Sequence, residues 1–151
     1  MTAFGVPDGL EAAVIGLGRS GVAATQLLRR AGVPVYASDA GTFEALERLA
    51  ETLRATGAVV EVGGHDLGRI ARAGVAIVSP GVPPSAPPIA AARAAGVPIR
   101  AEADLGLEAL PRARYIAVTG TNGKTTTTAL IGHLLGMAGR RGEAGGNIGT
   151  P

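Results

Sequence analysis

Two glycines, a lysine and several hydroxyl side chains lie together in the sequence TGTNGKTT at residues 119–126. Glycine lets the backbone adopt positive φ and brings N–H groups close to an anion. A helix predicted to begin near Lys124 would add its free N–H groups and the positive end of its dipole. Lys124 would reach the β- and γ-phosphates of a nucleotide, and the Thr125 hydroxyl would bind Mg²⁺. The segment therefore predicts a site for a nucleoside triphosphate.

This loop is shorter than the general P-loop pattern G-x-x-x-x-G-K-[ST]. That pattern would put a glycine at Val118, whereas the first glycine of the loop is Gly120. Lys124 is the only lysine among 14 basic residues, and its compact ammonium differs chemically from a guanidinium. The alternative is a glycine-rich turn with a surface lysine. The order of strand, glycine, Gly-Lys-Thr and helix favours the phosphate loop.

A second glycine-rich turn, GLGRSG at residues 16–21, follows an apolar run and precedes a helical pattern. This is the G-x-G-x-x-G arrangement of nucleotide-binding turns, and Asp39 ends the next predicted strand, where an acidic residue can bind a ribose. The usual ligand of such a turn is NAD or FAD. A second nucleotide site further along the chain argues against a dehydrogenase. Glycines also permit close packing of a helix on a strand, so the motif alone leaves the alternatives open.

Four polar residues follow predicted strands: Arg19, Ser20, Asp39 and Ser79. Ligands of doubly wound sheets lie outside the carboxyl ends of the strands, so we expect these residues to line one crevice. Arg19 and Ser20 would lie near a diphosphate, and Asp39 near a ribose or base. For Ser79, a simple turn before the proline-rich stretch 82–88 is equally compatible with the spacing.

Apolar runs and helical patterns alternate along the first hundred residues. Such alternation gives right-handed crossovers and a parallel sheet with helices on both faces. We therefore predict an α/β fold with a Rossmann-like, doubly wound parallel sheet. The predicted strands cover residues 12–15, 33–38, 59–62, 75–78 and 97–100, and the predicted helices cover residues 20–31, 42–56, 66–72, 89–95 and 102–110.

The segment Pro-Arg-Ala-Arg at residues 111–114 is charged and breaks helices, so we place a domain boundary there. Residues 1–113 would form the Rossmann-like domain. Residues 114–151 would be the start of a P-loop ATPase domain, with a strand at 115–118, the phosphate loop and a helix at 125–137. One strand and one helix cannot bury a sheet. We therefore expect the chain to be the N-terminal portion of a longer protein.

Composition excludes several kinds of site and partner. The chain has no cysteine, which excludes disulfides, thiolate metal sites and a cysteine nucleophile. Its net charge is +2 and its basic residues are scattered, so we expect neither a nucleic-acid nor a membrane partner. With no apolar run of membrane length and no signal sequence, we expect a cytoplasmic protein. His65 and His133 lack further ligands at metal-binding spacing, so we expect both to be solvated or packed.

TGTNGKTT, together with SPGV at residues 79–82 and GGNIGTP at residues 145–151, resembles the Mur ligases of bacterial cell-wall synthesis. The resemblance spans the chain in order, includes GLGRSG, and is strongest to the members that join D-glutamate to UDP-N-acetylmuramoyl-L-alanine. It implies a UDP-substrate-binding domain followed by the start of a central ATPase domain. The UDP-substrate-binding residues that it implies are Gly18, Arg19, Ser20, Asp39, Ser79 and Asn147, and the ATP-binding residues are Gly120, Thr121, Asn122, Gly123, Lys124, Thr125 and Thr126.

The resemblance also implies a reaction. A substrate carboxylate attacks the γ-phosphate of Mg-ATP to give an acyl phosphate, and the amine of D-glutamate displaces phosphate to form an amide. Lys124 would be the catalytic residue that stabilises the transferring phosphoryl group, and Thr125 would hold Mg²⁺. Other active-site parts of the family are absent from the sequence, so we expect the chain alone to be an inactive monomer. The alternatives are an NAD-binding oxidoreductase module, a non-catalytic nucleotide-sensing module, or another Mur ligase such as the L-alanine-adding enzyme.

Overall fold

The computed structural model describes residues 3–145 of the 151-residue chain. The chain divides into two compact units, Met1–Ala109 and Leu110–Pro151. In the described part of the first unit, five strands alternate with five helices. They are β1 Ala12–Ile15, α1 Arg19–Arg30, β2 Val35–Asp39, α2 Glu44–Arg54, β3 Val59–Val62, α3 Leu67–Ile70, β4 Val75–Val78, α4 Pro87–Ala94, β5 Ile99–Ala101 and α5 Glu102–Ala109.

The five strands form one sheet in the order β3-β2-β1-β4-β5. Every neighbouring pair is parallel, and Ala12 of β1 lies opposite Val35 of β2 and Val75 of β4. The chain first moves outward from β1 to β3 and then returns to the other side of β1 with β4. The carboxyl ends of β1 and β4 therefore flank the point where the strand order reverses, which is where open α/β sheets bind ligands. The predicted Rossmann-like parallel sheet is confirmed.

Helices cover both faces of the sheet, as predicted. Leu28 of α1, Leu53 of α2 and Leu105 of α5 belong to one apolar core, and Ile70 of α3 and Ala92 of α4 belong to the other. All four residues of β1 are buried, with alternate residues in the two cores. A strand buried on both faces has no polar positions to alternate with, which explains its continuous apolar sequence.

Proline accounts for three of the shifted element ends. β2 begins at Val35 and β5 at Ile99, two residues later than predicted, because Pro34 and Pro98 have no N–H to donate to a ladder. α4 begins at Pro87, two residues earlier than predicted, because proline suits the first turn of a helix.

In the second unit, the described residues 110–145 form an irregular segment, a loop and the helix α6, Lys124–Met137. The predicted strand at residues 115–118 is wrong. Tyr115 is 49% exposed and Ile116 is 61% exposed, and no strand in the described part of the chain forms a ladder with this segment. None of residues 110–145 is buried, so the described part of this unit has no core to stabilise the strand that the apolar sequence favours.

Candidate functional site

The turn between β1 and α1 needs glycine at each end. Gly16 has φ +93, and a Cβ there would lie 2.8 Å from the Cβ of Ser79. A Cβ on Gly21 would lie 1.9 Å from the carbonyl oxygen of Gly16. Gly18, between them, has nothing within 4 Å of the position of a Cβ. The outer glycines thus permit close packing of the turn, whereas the middle glycine faces open space.

α1 begins directly after this turn with an N-terminus suited to an anion. Gly18 is the N-cap and provides no side-chain hydrogen bond, and the first turn of the helix contains no acidic residue. The first N–H groups of a helix have no partner within the helix and carry its positive dipole end. Arg19 is exposed and Ser20 is half-buried at the same end. A phosphate group would therefore meet backbone N–H groups, a hydroxyl and a guanidinium here.

Asp39, the last residue of β2, holds the turn from the side. Its Oδ2 accepts a hydrogen bond from the N–H of Leu17 at 2.7 Å, and its Oδ1 accepts one from the N–H of Gly41 at 2.8 Å. The Gly16 N–H donates to the carbonyl of Ser38 at 2.8 Å. The end of β2 thus fixes two successive peptides of the turn. Each carboxylate oxygen of Asp39 keeps a further lone pair for a ligand donor.

Ser79 supports the turn from the β4 side. It is 7% exposed, and its single hydroxyl proton can be donated either to Oε1 of Glu102 or to the carbonyl oxygen of Gly16, which lies 3.0 Å from Oγ. The two alternatives for Ser79 were a ligand contact and a simple turn. The structure instead directs its hydroxyl into the protein, against the glycine-rich turn.

Glu102 is a residue of this site that the sequence motifs did not identify. It is the first residue of α5 and follows β5 directly, so it lies at the same edge of the sheet as Gly16 and Ser79. The signal in the sequence was its place after a predicted strand, among polar and apolar neighbours that form no known motif. Without such a motif, an acidic residue after a strand does not by itself indicate a site.

A polar cluster lies beside the end of β2. The Tyr36 hydroxyl donates to Oε2 of Glu61 at 2.5 Å and accepts from the N–H of Asp66 at 2.7 Å. Burial, reinforced by the hydrogen bond to Glu61, raises the pKa of Tyr36. Nδ1 of His65 lies 2.8 Å from Oγ of Ser38, and burial lowers the pKa of His65 despite nearby carboxylates. This histidine is half-buried and packed, as expected, and it fastens the loop after β3 to β2.

Arg69 covers one side of that cluster. Its guanidinium lies 4.9 Å from the centre of the Tyr36 ring and binds both carboxylate oxygens of Glu11, at 2.6 and 2.8 Å. The hydrogen bond to Glu11 raises the pKa of Arg69. These contacts tie α3 to the sheet, and they use charge for structure rather than for a ligand.

The predicted phosphate loop of the second unit has the backbone that the residues imply. Gly120 has φ +146 and Gly123 has φ +76, both in the region that favours glycine. Gly123 is the N-cap of α6 and Lys124 is its first residue, so the free N–H groups of this helix point toward the loop. The ammonium of Lys124 donates to the carbonyls of Gly120 and, at 3.2 Å, Thr121. A glycine-rich loop followed by a helix N-terminus is an arrangement that can bind an anion.

The remaining predicted residues of the loop, Thr121, Asn122, Thr125 and Thr126, are exposed. For Mg²⁺, Thr125 offers one hydroxyl, and residues 3–145 contain no group of three His, Cys, Asp or Glu side chains that could hold a metal. Asn147, predicted to contact the UDP substrate, lies outside the described residues. His133 is exposed on α6. Of the helices in the described part of the chain, none is long and apolar enough to cross a membrane.

Comparison with known proteins gives close relatives. The UDP-N-acetylmuramoylalanine–D-glutamate ligase of Frankia casuarinae is 46% identical over 143 residues, which cover 95% of this chain and 30% of the relative. The ligase of the same name from Myxococcus xanthus is 44% identical over 144 residues, covering 95% of this chain and 32% of the relative. The chain thus spans about a third of the length of these relatives.

Solved structures show the same fold. The crystal structure of UDP-N-acetylmuramate-alanine ligase MurC from Thermotoga maritima matches with a TM-score of 0.59 and 27% identity, covering 85% of this chain and 30% of that one. A murein peptide ligase from Psychrobacter arcticus matches with a TM-score of 0.59 and 25% identity, covering 87% and 27% of the two chains. Residues 10–101 match the family model of the Mur ligase MurD-like N-terminal domain. On this evidence the chain belongs to the MurD-like Mur ligases.

Proposed function

We propose that this chain is the N-terminal part of an ATP-dependent ligase that joins D-glutamate to UDP-N-acetylmuramoyl-L-alanine. The observation that carries the proposal is the identity of 46% over 95% of the chain to a relative with that printed name. The match includes both the first unit and the loop at residues 119–126. The two units are proposed to act as the UDP-substrate domain, residues 1–113, and the start of the ATP-binding domain, residues 114–151.

The turn of the first unit supports binding of the UDP part of the substrate. A diphosphate at the start of α1 would meet free N–H groups, the Arg19 guanidinium and the Ser20 hydroxyl, with no acidic side chain in the first turn to repel it. Gly18 leaves space for its approach, since nothing lies within 4 Å of where a side chain would begin. We assign Asp39 to the ribose or base, through the lone pairs that its backbone contacts leave free. Ser79 is assigned to the same site as support for the turn.

The loop of the second unit supports binding of ATP. Gly120, Thr121, Asn122 and Gly123 would direct backbone N–H groups at the phosphates. ATP supplies the phosphoryl group that activates the substrate carboxylate as an acyl phosphate. Lys124 would stabilise the negative charge that develops during this transfer. Thr125 would hold Mg²⁺ as one ligand beside the phosphate oxygens, with Thr126 next to it in the first turn of α6.

The overall reaction consumes one substrate carboxylate, one amine and ATP, and yields one amide, ADP and phosphate. D-glutamate provides the amine that displaces phosphate from the acyl phosphate. Within this chain, the residues that we assign to the chemistry are those of the loop, whereas the first unit binds and orients the UDP substrate. This division is consistent with the turn of the first unit, which hydrogen bonds hold in place, and with the exposed loop of the second.

The test is calorimetric titration of the purified chain with UDP-N-acetylmuramoyl-L-alanine and, separately, with NAD. We expect binding of the UDP substrate and none of NAD. Arg19→Gln should weaken the Kd about threefold to tenfold, the scale of one charge-assisted hydrogen bond at an exposed site. The matched control is Arg30→Gln at the other, exposed end of α1, which should leave the Kd unchanged. Tight binding of NAD with no response to the UDP substrate would refute the proposal.

A further inference from the structure

Glu102 presents a buried carboxyl group that is incompletely hydrogen-bonded. The residue is 8% exposed, and its Oε2 is enclosed without a hydrogen-bond partner among the described residues. Its other oxygen, Oε1, contacts Oγ of Ser79. A buried polar atom without a partner is rare and destabilises the fold, so it calls for an explanation.

The position of Glu102 at the start of α5 does not explain why its carboxyl group is buried. Acidic residues are favourable at helix N-termini, but Asp104 already serves this end, where its Oδ2 accepts a hydrogen bond from the N–H of Ala101 at 3.1 Å. An exposed acidic side chain would interact with the helix dipole without the cost of burial. The carboxyl of Glu102 is instead turned inward, toward Ser79.

Ser79 connects Glu102 to the glycine-rich turn. Its Oγ lies between Oε1 of Glu102 and the Gly16 carbonyl oxygen, 3.0 Å from the latter, and its Cβ would lie 2.8 Å from a Cβ on Gly16. The same carbonyl lies where a side chain on Gly21 would begin, 1.9 Å away. A small movement of Ser79 would therefore shift the peptide against which the first turn of α1 packs.

We propose that Glu102 is a positioning residue of the UDP-substrate site, which holds Ser79, and through it the Gly16 carbonyl, in the geometry that binds the diphosphate. This inference rests on the proposed function. A carboxyl that is costly to bury and that lies beside the proposed ligand site fits a role in function better than a role in stability. An apolar side chain of similar volume would fill the space without the unpartnered oxygen.

The two roles predict opposite results for Glu102→Leu. If Glu102 positions Ser79, this variant keeps or raises the Tm of the 151-residue chain and weakens the Kd for UDP-N-acetylmuramoyl-L-alanine about tenfold, or about 1.4 kcal/mol. Glu102→Gln should bind within about twofold of the parent chain, because its amide N–H can donate to Ser79 while Ser79 donates to Gly16. Glu108→Leu, on the exposed side of the same helix, is the control and should bind normally.

A double-mutant cycle tests the route through Ser79. Ser79→Ala should weaken the Kd about as much as Glu102→Leu, and the double variant should bind no worse than Ser79→Ala alone. A Glu102→Leu variant that does not fold would show that Glu102 serves stability, and it would overturn the inference. The inference would be overturned if Glu102→Leu binds the UDP substrate normally, or if the losses of affinity of the two single variants add in the double variant. It would also be overturned if Glu102→Leu and Glu102→Gln both lower the Tm. Failure of the parent chain to bind the UDP substrate would refute the proposed function instead.

Discussion

Gly21→Ala tests how closely α1 packs against the turn that precedes it. The added Cβ would lie 1.9 Å from the Gly16 carbonyl oxygen and 3.1 Å from Oγ of Ser79. Gly16 cannot move freely, because its N–H is bonded to Ser38 and its carbonyl to Ser79. The methyl group must therefore displace either the turn or the start of the helix by more than 1 Å, about the gap between 1.9 Å and a normal contact.

The expected loss follows from three effects of different sign. Alanine in place of glycine favours a helix by about 1 kcal/mol. Overpacking costs about 2–3 kcal/mol, and loss of the buried hydrogen bond between Ser79 and Gly16 costs about 1–2 kcal/mol. The net destabilisation is about 3 kcal/mol, which lowers the Tm by about 10 °C in a domain of this size. Thermal unfolding followed by circular dichroism measures it.

Gly18→Ala is the matched control, because it makes the same chemical change three residues earlier. Nothing lies within 4 Å of the new Cβ, and the φ of −64° suits alanine. The change at an N-cap should cost about 1 kcal/mol or less, yet the methyl group would stand in the space that we assign to the diphosphate and should weaken UDP-substrate binding. If Gly21→Ala unfolds at the temperature of the parent chain, or Gly18→Ala is the less stable variant, our account of the turn is wrong.

Two further predictions concern Lys124 and His65. In a complete ligase containing this chain, Lys124→Ala should reduce the rate of ADP formation by about two to three decades. If the variant keeps the rate of the parent enzyme, Lys124 has no catalytic role. Burial lowers the pKa of His65, so the unfolded chain binds the proton more readily, and the stability from His65 should fall as the pH drops through about 6.5. The free energy of unfolding is measured in urea between about pH 5 and pH 7.5. His65→Gln should reduce its dependence on pH, whereas His133→Gln, at an exposed position, should not. The same pH dependence in His65→Gln and in the parent chain would contradict the prediction.

The local sequence predicted the strands accurately where apolar runs are bounded by turn residues. The strands at residues 12–15, 59–62 and 75–78 form with the predicted bounds. Short apolar runs between turn residues can pair in a parallel sheet only if helices cover them, and the alternating helical patterns supplied that cover. The predicted starts of β2 and β5 were less accurate, because the hydrophobic pattern does not show that proline lacks an N–H.

The segment at residues 115–118 shows the limit of this reasoning. Its sequence, Tyr-Ile-Ala-Val, is as apolar as that of β4, Val-Ala-Ile-Val. β4 forms because β1 and β5 pair with its two sides. Residues 115–118 have no such neighbours in the described part of the chain; residues 115–117 are exposed and Val118 is half-buried. A strand also depends on its partners, which lie elsewhere in the sequence, so its own residues are not sufficient to predict it.

Support for the glycine-rich turn was also beyond local prediction. The motif predicted residues for a ligand site, but not that Asp39 would bind the N–H of Leu17 or that Glu102 would reach Ser79. These pairs are separated by 22 and 23 residues and meet only because parallel strands end at one edge of the sheet. Residue type and spacing predict the groups that contact a ligand, whereas topology determines what holds them.

The two loops therefore differ in what fixes them before a ligand arrives. The turn at residues 16–21 is held by β2 and β4 through buried contacts, so its geometry is set by the fold. The loop at residues 119–126 is exposed, and Lys124 donates to the loop's own carbonyls. Phosphate oxygens are stronger acceptors for an ammonium than neutral carbonyls. If the loop binds ATP as we propose, the phosphate oxygens would compete with these carbonyls for the Lys124 ammonium.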